Sequence, residues 1–261
     1  MKLTGLHLLL TYRCNFECDH CFLWGSPRQN GTMTLKQIRE ILRQAQEHPS
    51  IKSIYFEGGE PFLYYPILLK GIQLASELGF ETGIVSNGYW ATTKEDALEW
   101  LRSLAKILDS ISVSSDLFHY SEELSRQAQN AQNAARKLGI SLDFISIAQP
   151  EDDSAEVGIG QLPEGFSGIK YQGRAADKLA DCVEGQAWQS FTECPYEDLR
   201  EPGRVHIDPF GHMHICQGIS LGNIFETPIN EICTEYNAKT HPITGMLLKG
   251  GPAKLVERYG L

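Results

Sequence analysis

Apolar and polar residues follow one another in blocks along the first two thirds of the chain, in a pattern that predicts repeated strand–helix units. Short, mostly apolar runs have the length of buried strands. They predict strands at Leu6–Leu10, Ile51–Glu57, Thr82–Ser86, Leu108–Ser114 and Ile140–Ala148. From Thr34 to Glu47 the apolar residues share one helical face, and Thr34 and Gln37 are spaced as an N-terminal capping box. A first helix is therefore predicted between the first two strands.

Three further helices are predicted between the later strands. They run from Pro66 to Leu78, onward from Thr93, and from Ser121 to Gly139. Such repeats indicate a parallel α/β sheet, because parallel strands need crossover connections and the helices cover the sheet faces. The pattern alone leaves a partial barrel and an open doubly wound sheet as alternatives. The segment Pro150–Gly168 predicts a loop, and we expect a sixth strand at Ile169–Gln172.

The last third of the chain has fewer periodic segments and holds four of the seven cysteines. We therefore predict a core over residues 1–180 and a small C-terminal hairpin-plus-helix extension over residues 181–261. The hairpin is expected at Val205–Cys216, with its turn at Pro209–Gly211.

Composition and charge argue against several classes of function. The formal net charge of −10 disfavours non-specific binding to nucleic acid or to an anionic membrane surface. No apolar run approaches the roughly 20 residues that span a bilayer, so we expect no membrane partner and a cytoplasmic location. Seven cysteines, an odd number, in a chain of 261 residues favour metal or cluster ligation over a disulfide framework.

Three of these cysteines, Cys14, Cys18 and Cys21, lie on one short segment directly after the first predicted strand. Thiolates spaced this closely can converge on one metal centre. A 4Fe–4S cluster is normally held by four cysteines, so three would leave one iron open to an outside ligand. The spacing alone leaves two alternatives, a zinc site completed by a histidine such as His20, and a group of buried thiols.

Distinctive polar motifs follow the next three predicted strands. They are Gly58-Gly59-Glu60-Pro61, Ser86-Asn87-Gly88 and Ser114-Ser115-Asp116. Each motif alone is compatible with an ordinary turn. Ligands of parallel α/β folds bind at the carboxyl ends of the strands, however, and all three motifs lie there together with the cysteine segment. We interpret the set as a ligand site on one rim of the sheet.

The cysteine motif and Gly58-Gly59-Glu60-Pro61 together resemble the radical S-adenosylmethionine (SAM) superfamily over roughly the first two thirds of the chain. The resemblance implies a partial, TIM-like (β/α)6 barrel. It also implies a 4Fe–4S cluster on Cys14, Cys18 and Cys21, with SAM chelating the open iron. The SAM contacts that it implies are His20 beside the adenine, Gly58, Gly59 and Glu60 beside the amino group, and Ser86, Asn87, Ser114, Asp116, Ile147 and Arg174 around the rest. Either Ser114 or Ser115 is expected to face the ribose.

In this superfamily the reduced cluster cleaves SAM to a 5′-deoxyadenosyl radical, which takes a hydrogen atom from the substrate. The resemblance therefore implies an enzyme that receives electrons from a reductant such as flavodoxin or ferredoxin. His119 and Tyr120 are candidates for proton or hydrogen transfer. The alternative is a non-catalytic iron–sulfur protein for electron transfer or sensing, which explains the cysteines but gives no reason for the motif at Gly58–Pro61.

The C-terminal segment partly resembles the SPASM/twitch extensions of these enzymes, which hold auxiliary iron–sulfur clusters. The match rests on Cys194, Gly211 and Cys216, followed by Leu221-Gly222-Asn223-Ile224. It predicts a second cluster on Cys194 and Cys216, with unrelated thiols on a solvated hairpin as the alternative. Strand alternation would place His212 and His214 on the same face as Cys216, as further candidate ligands, with Cys182 or Cys233 added from elsewhere.

The resemblance leaves two substrate classes open, a peptide and a small molecule. Relatives with SPASM/twitch extensions often modify ribosomally made peptides, which favours the first class. The first predicted strand begins close to Met1, so we expect no N-terminal leader-peptide-binding domain, and this favours the second.

Overall fold

The computed structural model describes residues 1–152, 165–194 and 196–260, and its first 152 residues form the predicted strand–helix repeats. The strands are β1 (Gly5–Thr11), β2 (Ser53–Gly58), β3 (Glu81–Ser86), β4 (Ser110–Ser114) and β5 (Ser141–Ile147). The helices between them are α1 (Leu35–Gln46), α2 (Tyr65–Glu77), α3 (Lys94–Arg102) and α4 (Arg126–Leu138), with a 3₁₀ turn at Pro61–Tyr64 before α2.

The rest of the chain contributes four more strands and three helices to the described structure. The strands are β6 (Gly165–Ser167), β7 (Arg204–Ile207), β8 (His212–Cys216) and β9 (Ile219–Asn223). The helices are α5 (Arg174–Lys178), α6 (Ile229–Glu235) and α7 (Thr244–Tyr259), the last interrupted at Gly250 and Gly251. Two short 3₁₀ turns lie at Ala180–Cys182 and Trp188–Ser190. Among the described helices, none combines the length and apolar character that crossing a bilayer requires.

All nine described strands join one sheet in the order β6-β5-β4-β3-β2-β1-β7-β8-β9. The first six are parallel to their neighbours, which confirms the predicted parallel α/β fold. β7 also pairs in parallel with β1, and β8 then returns antiparallel to β7 as the predicted hairpin. Strand β1 thus lies between β2 and β7, and each of its residues is buried, as expected for a parallel strand covered on both faces.

The sixth strand was predicted in the wrong place. It is β6 at Gly165–Ser167, within the predicted loop, and not at Ile169–Gln172. Its parallel pairing with Ile145–Ile147 defines it, because three residues are too few for an apolar pattern to show in the sequence. Residues 153–164 of the predicted loop lie outside the described residues.

Helix α4 begins later than the predicted residue Ser121. Its N-cap is Ser125, whose side-chain oxygen accepts a hydrogen bond from the Ala128 N–H at 3.1 Å. The Ser125 N–H in turn donates to the Ser115 hydroxyl at 2.8 Å, so the end of β4 fixes where the helix starts. By contrast, the capping box of Thr34 and Gln37 is confirmed at the start of α1.

The C-terminal segment is tied to helix α1 as well as to β1. The buried Gln44 side chain donates to the carbonyl of Ile224 at 3.0 Å and accepts from the N–H of Ile229 at 2.9 Å. The sheet and this contact both continue past residue 180, where a boundary between core and extension is predicted. That boundary stays a prediction.

Replacing Gln44 with Ala leaves a buried carbonyl and a buried N–H unpaired, so we expect the free energy of unfolding to fall by about 2 kcal/mol. The neighbouring Arg43→Ala serves as a control, because Arg43 makes exposed ion pairs with Glu40 and Glu47 that contribute about 0–1 kcal/mol. Urea unfolding of both variants without oxygen, followed by circular dichroism, measures the difference. An equal fall in the free energy of unfolding of the two variants would show that the Gln44 hydrogen bonds between α1 and the C-terminal segment do not stabilise the fold.

Candidate active site

One cavity at the carboxyl ends of β1–β5 collects most of the predicted site residues. Those that line it are Cys14, Cys18, His20, Cys21, Gly58, Gly59, Ser86, Asn87, Ser114, His119 and Ile147. Four others, Glu60, Asp116, Tyr120 and Arg174, bond to lining residues without lining the cavity themselves. Cys194 and Cys216 are not among the lining residues. The predicted rim of site residues is therefore present. Some of its members line the cavity, and others hold the lining residues in place through hydrogen bonds.

The segment leading into Cys14 is paired with the backbone that follows β2. The Gly59 N–H donates to the Thr11 carbonyl at 2.7 Å, and the Glu60 N–H donates to the Arg13 carbonyl at 2.9 Å. A Cβ at Gly58 would lie 2.3 Å from the Thr11 oxygen, and one at Gly59 would lie 2.2 Å from the Arg13 oxygen. Gly58 also has φ of +132°. The two glycines thus allow two backbones to touch, and the sequence alone did not reveal this role.

Glu60 directs its carboxylate into the protein and not into the cavity. It accepts hydrogen bonds from the Asn87 N–H at 2.8 Å and from the Ser86 hydroxyl at 3.0 Å. Burial raises the pKa of Glu60 to about 7, although these donors partly offset that effect. Glu60 therefore bridges the ends of β2 and β3.

Hydrogen bonds from nearby N–H groups reach two of the three cysteine sulfurs. The Cys14 Sγ accepts from the Phe16 N–H at 3.3 Å and lies 3.6 Å from the Asn87 side-chain nitrogen. The Cys21 Sγ accepts from the Gly25 N–H at 3.3 Å. Burial raises the pKa of Cys14 to about 11, and burial followed by the charge of Cys21 raises that of Cys18. A bound metal centre removes these protons outright, and N–H···S bonds help to set the potential of a cluster.

At least one pair of the three cysteine sulfurs lies farther apart than ligation of one zinc ion allows. A zinc–sulfur bond of about 2.3 Å keeps two thiolates on one ion within about 4.6 Å of each other. Among the described residues, the groups of three ligand atoms that lie within 4.8 Å of one another do not include the three cysteines. This spacing fits a centre of several metal atoms better than one zinc ion.

Arg174 is hydrogen-bonded to the backbone of the cysteine segment and the residues that follow it. Its guanidinium donates to the carbonyls of Cys18 and Gly25, both at 2.8 Å, and its backbone N–H donates to the Cys21 carbonyl at 2.9 Å. The preceding Gly173 has φ of +57°, and a Cβ there would lie 2.3 Å from the Phe22 oxygen. The sequence pointed to Arg174 as a cofactor contact, whereas the structure directs its guanidinium at carbonyl groups of the cysteine segment.

The ends of β4 and β5 are joined through Asp116. Its carboxylate accepts from the His119 ring at 2.8 Å and from the Ile147 N–H at 3.2 Å. Burial opposes ionisation of Asp116, but the hydrogen bond and charge of His119 lower its pKa below the usual value. His119 consequently presents a fixed ring to the cavity. The Tyr120 hydroxyl instead donates to the Asn87 carbonyl at 2.8 Å.

The structure distinguishes the two adjacent serines at the end of β4. Ser114 lines the cavity. Ser115 is buried, and its hydroxyl donates to the Glu123 carbonyl at 2.8 Å and accepts from the Ser125 N–H. Of the two, Ser114 is therefore the one in a position to meet a ligand.

His20 lines the cavity and carries a buried, unpaired polar atom. Its ring packs against Phe118 and His119, with centroids 4.6 Å and 5.0 Å apart. Its Nδ1 is buried and has no hydrogen-bond partner among the described residues. Burial, then the charge of His119, lowers the pKa of His20 to about 4, so the ring is neutral near pH 7. A neutral aromatic ring with a free nitrogen suits contact with a planar, polar ligand such as an adenine.

A model of the Radical SAM superfamily matches residues 8–145, more than half of the chain. The chain belongs to the radical SAM superfamily. Its members are enzymes that use a 4Fe–4S cluster and SAM, so this chain is a radical SAM enzyme with these cofactors. The three thiols and the unpaired His20 nitrogen fit both groups.

Two curated relatives from Bacillus subtilis (strain 168) are similar to this radical SAM chain. The putative peptide biosynthesis protein YydG is 27% identical over 162 residues, which are 62% of this chain and 51% of YydG. The antilisterial bacteriocin subtilosin biosynthesis protein AlbA is 21% identical over 262 residues, 85% of this chain and 58% of AlbA. The chain thus spans only about half of the length of these relatives.

Solved structures share the fold at low identity. Streptococcus suis SuiB, solved with S-adenosylmethionine bound, has a TM-score of 0.56 at 17% identity, covering 97% of this chain and 72% of SuiB. BtrN, solved with AdoMet and 2-DOIA, has a TM-score of 0.58 at 14% identity, covering 96% of this chain and 89% of BtrN. These likenesses establish the radical SAM fold.

Sequence reasoning missed a polar wall of the cavity that lies outside the radical SAM motifs. Its lining residues are Glu57, Lys170, Gln172, Glu197, Arg204, His206 and Gln217. Arg204 and His206 alternate on β7, which the sequence placed in an isolated hairpin and not beside β1. One feature of the sequence could have indicated this wall. In the strand Arg204–Ile207, two polar residues alternate with the apolar Val205 and Ile207.

The C-terminal cysteines form no recognisable metal site in the described residues. Cys216 is buried and accepts from the Gln172 amide at 3.3 Å, and Cys194 packs in the same apolar cluster. No described group of three ligand atoms within 4.8 Å includes either one. The other candidate ligands lie apart: Cys182 is exposed, Cys233 lies in the main core, His212 is exposed and His214 faces Asp208. A second cluster on Cys194 and Cys216 stays a prediction.

We expect Arg174→Lys to speed the loss of a reconstituted cluster to a chelator by about tenfold, because lysine lacks the planar guanidinium whose two NH2 groups each reach one carbonyl. Lys178→Ala is the matched control, since Lys178 is exposed on the same short helix. Decay of the cluster absorbance without oxygen measures the rate. Equal rates in the two variants would show that Arg174 does not support the cysteine segment.

Proposed function

We propose that this chain binds its 4Fe–4S cluster on Cys14, Cys18 and Cys21 and binds SAM in the adjoining cavity. The supporting observation is that the three cysteines and Gly58-Gly59 line one cavity, with the backbone after β2 hydrogen-bonded to the segment that leads into Cys14. When bound, the two cofactors supply the one-electron chemistry that removes a hydrogen atom from a substrate. An external reductant such as flavodoxin or ferredoxin, and a cytoplasmic location, belong to the same proposal.

The residues divide into those that meet SAM and those that hold them in place. We assign the Gly58-Gly59 backbone to the SAM amino group, Ser114 to the ribose, and His20 with Ile147 to the adenine. Ser86 and Asn87 line the cavity next to the cysteine segment. Glu60, Asp116 and Arg174 act through their hydrogen bonds to these neighbours, because their charged groups are directed at protein atoms.

His119 is the better placed of the two residues proposed for proton transfer. Its ring lines the cavity, and its Nδ1 is held by Asp116 at 2.8 Å, so the other ring nitrogen is the one able to exchange a proton with a ligand. Tyr120 is bonded to the Asn87 carbonyl and does not line the cavity, which supports a positioning role.

Of the two substrate classes, a peptide has more support. YydG is a putative peptide biosynthesis protein, AlbA takes part in bacteriocin biosynthesis, and SuiB has been solved with its precursor peptide SuiA. A small molecule remains the second candidate, because BtrN, whose structure holds 2-DOIA, shares the fold over 96% of this chain. The polar wall of the cavity offers amide, carboxylate and cationic groups that suit a polar substrate of either class.

The decisive test compares the wild type with the triple variant Cys14→Ala/Cys18→Ala/Cys21→Ala after reconstitution without oxygen. Iron and sulfide are counted per chain, and electron paramagnetic resonance spectra of the reduced proteins are recorded with and without SAM. We expect one cluster whose signal shifts on adding SAM, and loss of this response in the variant. A wild-type cluster whose signal ignores SAM would favour an electron-transfer or sensor protein.

Substitutions at the two serines that end β4 should have different effects, one on SAM binding and the other on stability. Ser114→Ala should weaken SAM binding about fivefold at unchanged stability, because it removes one hydroxyl from the cavity. Ser115→Ala should lower the free energy of unfolding by about 1–2 kcal/mol, because the Ser125 N–H loses its buried acceptor. Equilibrium dialysis with SAM and urea unfolding measure the two effects. If Ser115→Ala weakens SAM binding and Ser114→Ala lowers the free energy of unfolding instead, the ribose contact belongs to Ser115.

A further inference from the structure

Three buried ionisable side chains from three neighbouring strands of the sheet lie close together. His7 lies on β1, Glu57 on β2 and His206 on β7. The His7 Nδ1 lies 2.9 Å from Glu57 Oε1, and the His206 Nε2 lies 3.0 Å from the same oxygen. All three side chains are less than a tenth exposed. Neither the cysteine motif nor the SAM contacts account for this group.

The backbone around the group is fixed by neighbouring strands. β1 is hydrogen-bonded to β2 on one side and to β7 on the other, and His7 lies directly opposite His206 in the register. The His7 ring also stacks on Tyr55, with centroids 4.8 Å apart and planes 5° apart. The three side chains therefore start from rigid positions, as the ligands of a specific site must.

The donor atoms match a divalent transition-metal ion. Two imidazole nitrogens and one carboxylate oxygen are a common ligand set for zinc in catalytic sites that keep one position open. The ligand atoms of His7, Glu57 and His206 all lie within 4.8 Å of one another. At zinc–ligand bonds of about 2.0–2.1 Å, tetrahedral ligands are about 3.4 Å apart. Shifts of a few tenths of an ångström from 2.9 Å and 3.0 Å reach that spacing.

One side of the group is open to a ligand. Glu57 and His206 both line the cavity that also holds the three cysteines, whereas His7 lies behind them against Tyr55. An ion bound between the three side chains would therefore have protein ligands on one side and the cavity on the other. Structural zinc sites are closed, so this arrangement is that of a site that also meets a small ligand or substrate.

We propose that His7, Glu57 and His206 form a second metal site, which binds one divalent ion of the zinc type with an open position toward the cavity. The ion replaces the two hydrogen bonds to Glu57, and each ligating ring nitrogen gives up its proton to solvent or to the other nitrogen of its ring. The site is independent of the 4Fe–4S cluster, and its test does not depend on SAM cleavage.

The test loads the reconstituted, cluster-containing protein with zinc alone, passes it over a weak chelating resin, and counts zinc and iron per chain. We expect one zinc in the wild type and its loss in Glu57→Gln and His206→Ala, with unchanged iron. His214→Ala is the matched control, because His214 is also a buried histidine facing a carboxylate, that of Asp208, but does not line the cavity. It should retain the zinc.

Cobalt(II) gives a second, spectroscopic readout of the same site. In the difference spectrum against the cobalt-free protein we expect weak visible bands without a thiolate-to-cobalt charge-transfer band, since the ligands are nitrogen and oxygen, and we expect Glu57→Gln to abolish them. This variant keeps the size and most of the polarity of the side chain, so retained iron and an unchanged circular dichroism spectrum exclude misfolding. The proposal is overturned if the wild type retains no zinc, if all variants retain it equally, or if cobalt shows thiolate ligation.

Discussion

The approach of two backbone segments at Gly58 and Gly59 positions the rest of the site. Only residues without a Cβ let the chain after β2 lie within hydrogen-bonding distance of Thr11 and Arg13, the residues that lead into Cys14. Any larger side chain at Gly59 would meet the Arg13 carbonyl at 2.2 Å. The cysteine segment is thus attached to the sheet by a continuation of β1–β2 pairing, although no regular strand extends that far.

Buried ionisable side chains then fix the neighbouring strand ends relative to one another. Glu60 joins β2 to β3, Asp116 joins β4 to β5, and Arg174 joins the cysteine segment to the start of α5. Each is fully engaged with protein atoms, and buried charges with satisfied partners are costly to disturb. The cavity wall is consequently held by hydrogen bonds between protein groups, which is the arrangement that lets a protein orient a reactive cofactor and exclude water.

The parallel sheet, the first helix with its capping box, the hairpin and the rim of polar motifs could all be predicted from the sequence, because each leaves a local pattern. What the sequence did not reveal depends on contacts between distant residues. β6 is defined by its pairing with β5, the start of α4 by Ser115, and the place of β7 by β1. The orientation of Glu60 and Arg174 likewise follows from partners that sequence spacing does not identify. The family resemblance pointed to residues that the structure brings together at one cavity, and the geometry separates those that line it from those that bond to the lining residues.

The position of Arg174 also has a consequence for how the protein is assembled. Arg174 bonds to Cys18 across 156 residues of chain, and β7, the second neighbour of β1, follows later still. At ribosomal speeds of 5–20 residues per second, Cys18 is made about 10–30 s before its supporting arginine. During that interval β1 has an unpaired edge, and the thiols lack the contacts that shape their loop. Iron and sulfide are therefore best delivered after synthesis of the chain is complete. A ribosome that pauses after the cysteine segment would leave its thiols exposed to oxygen.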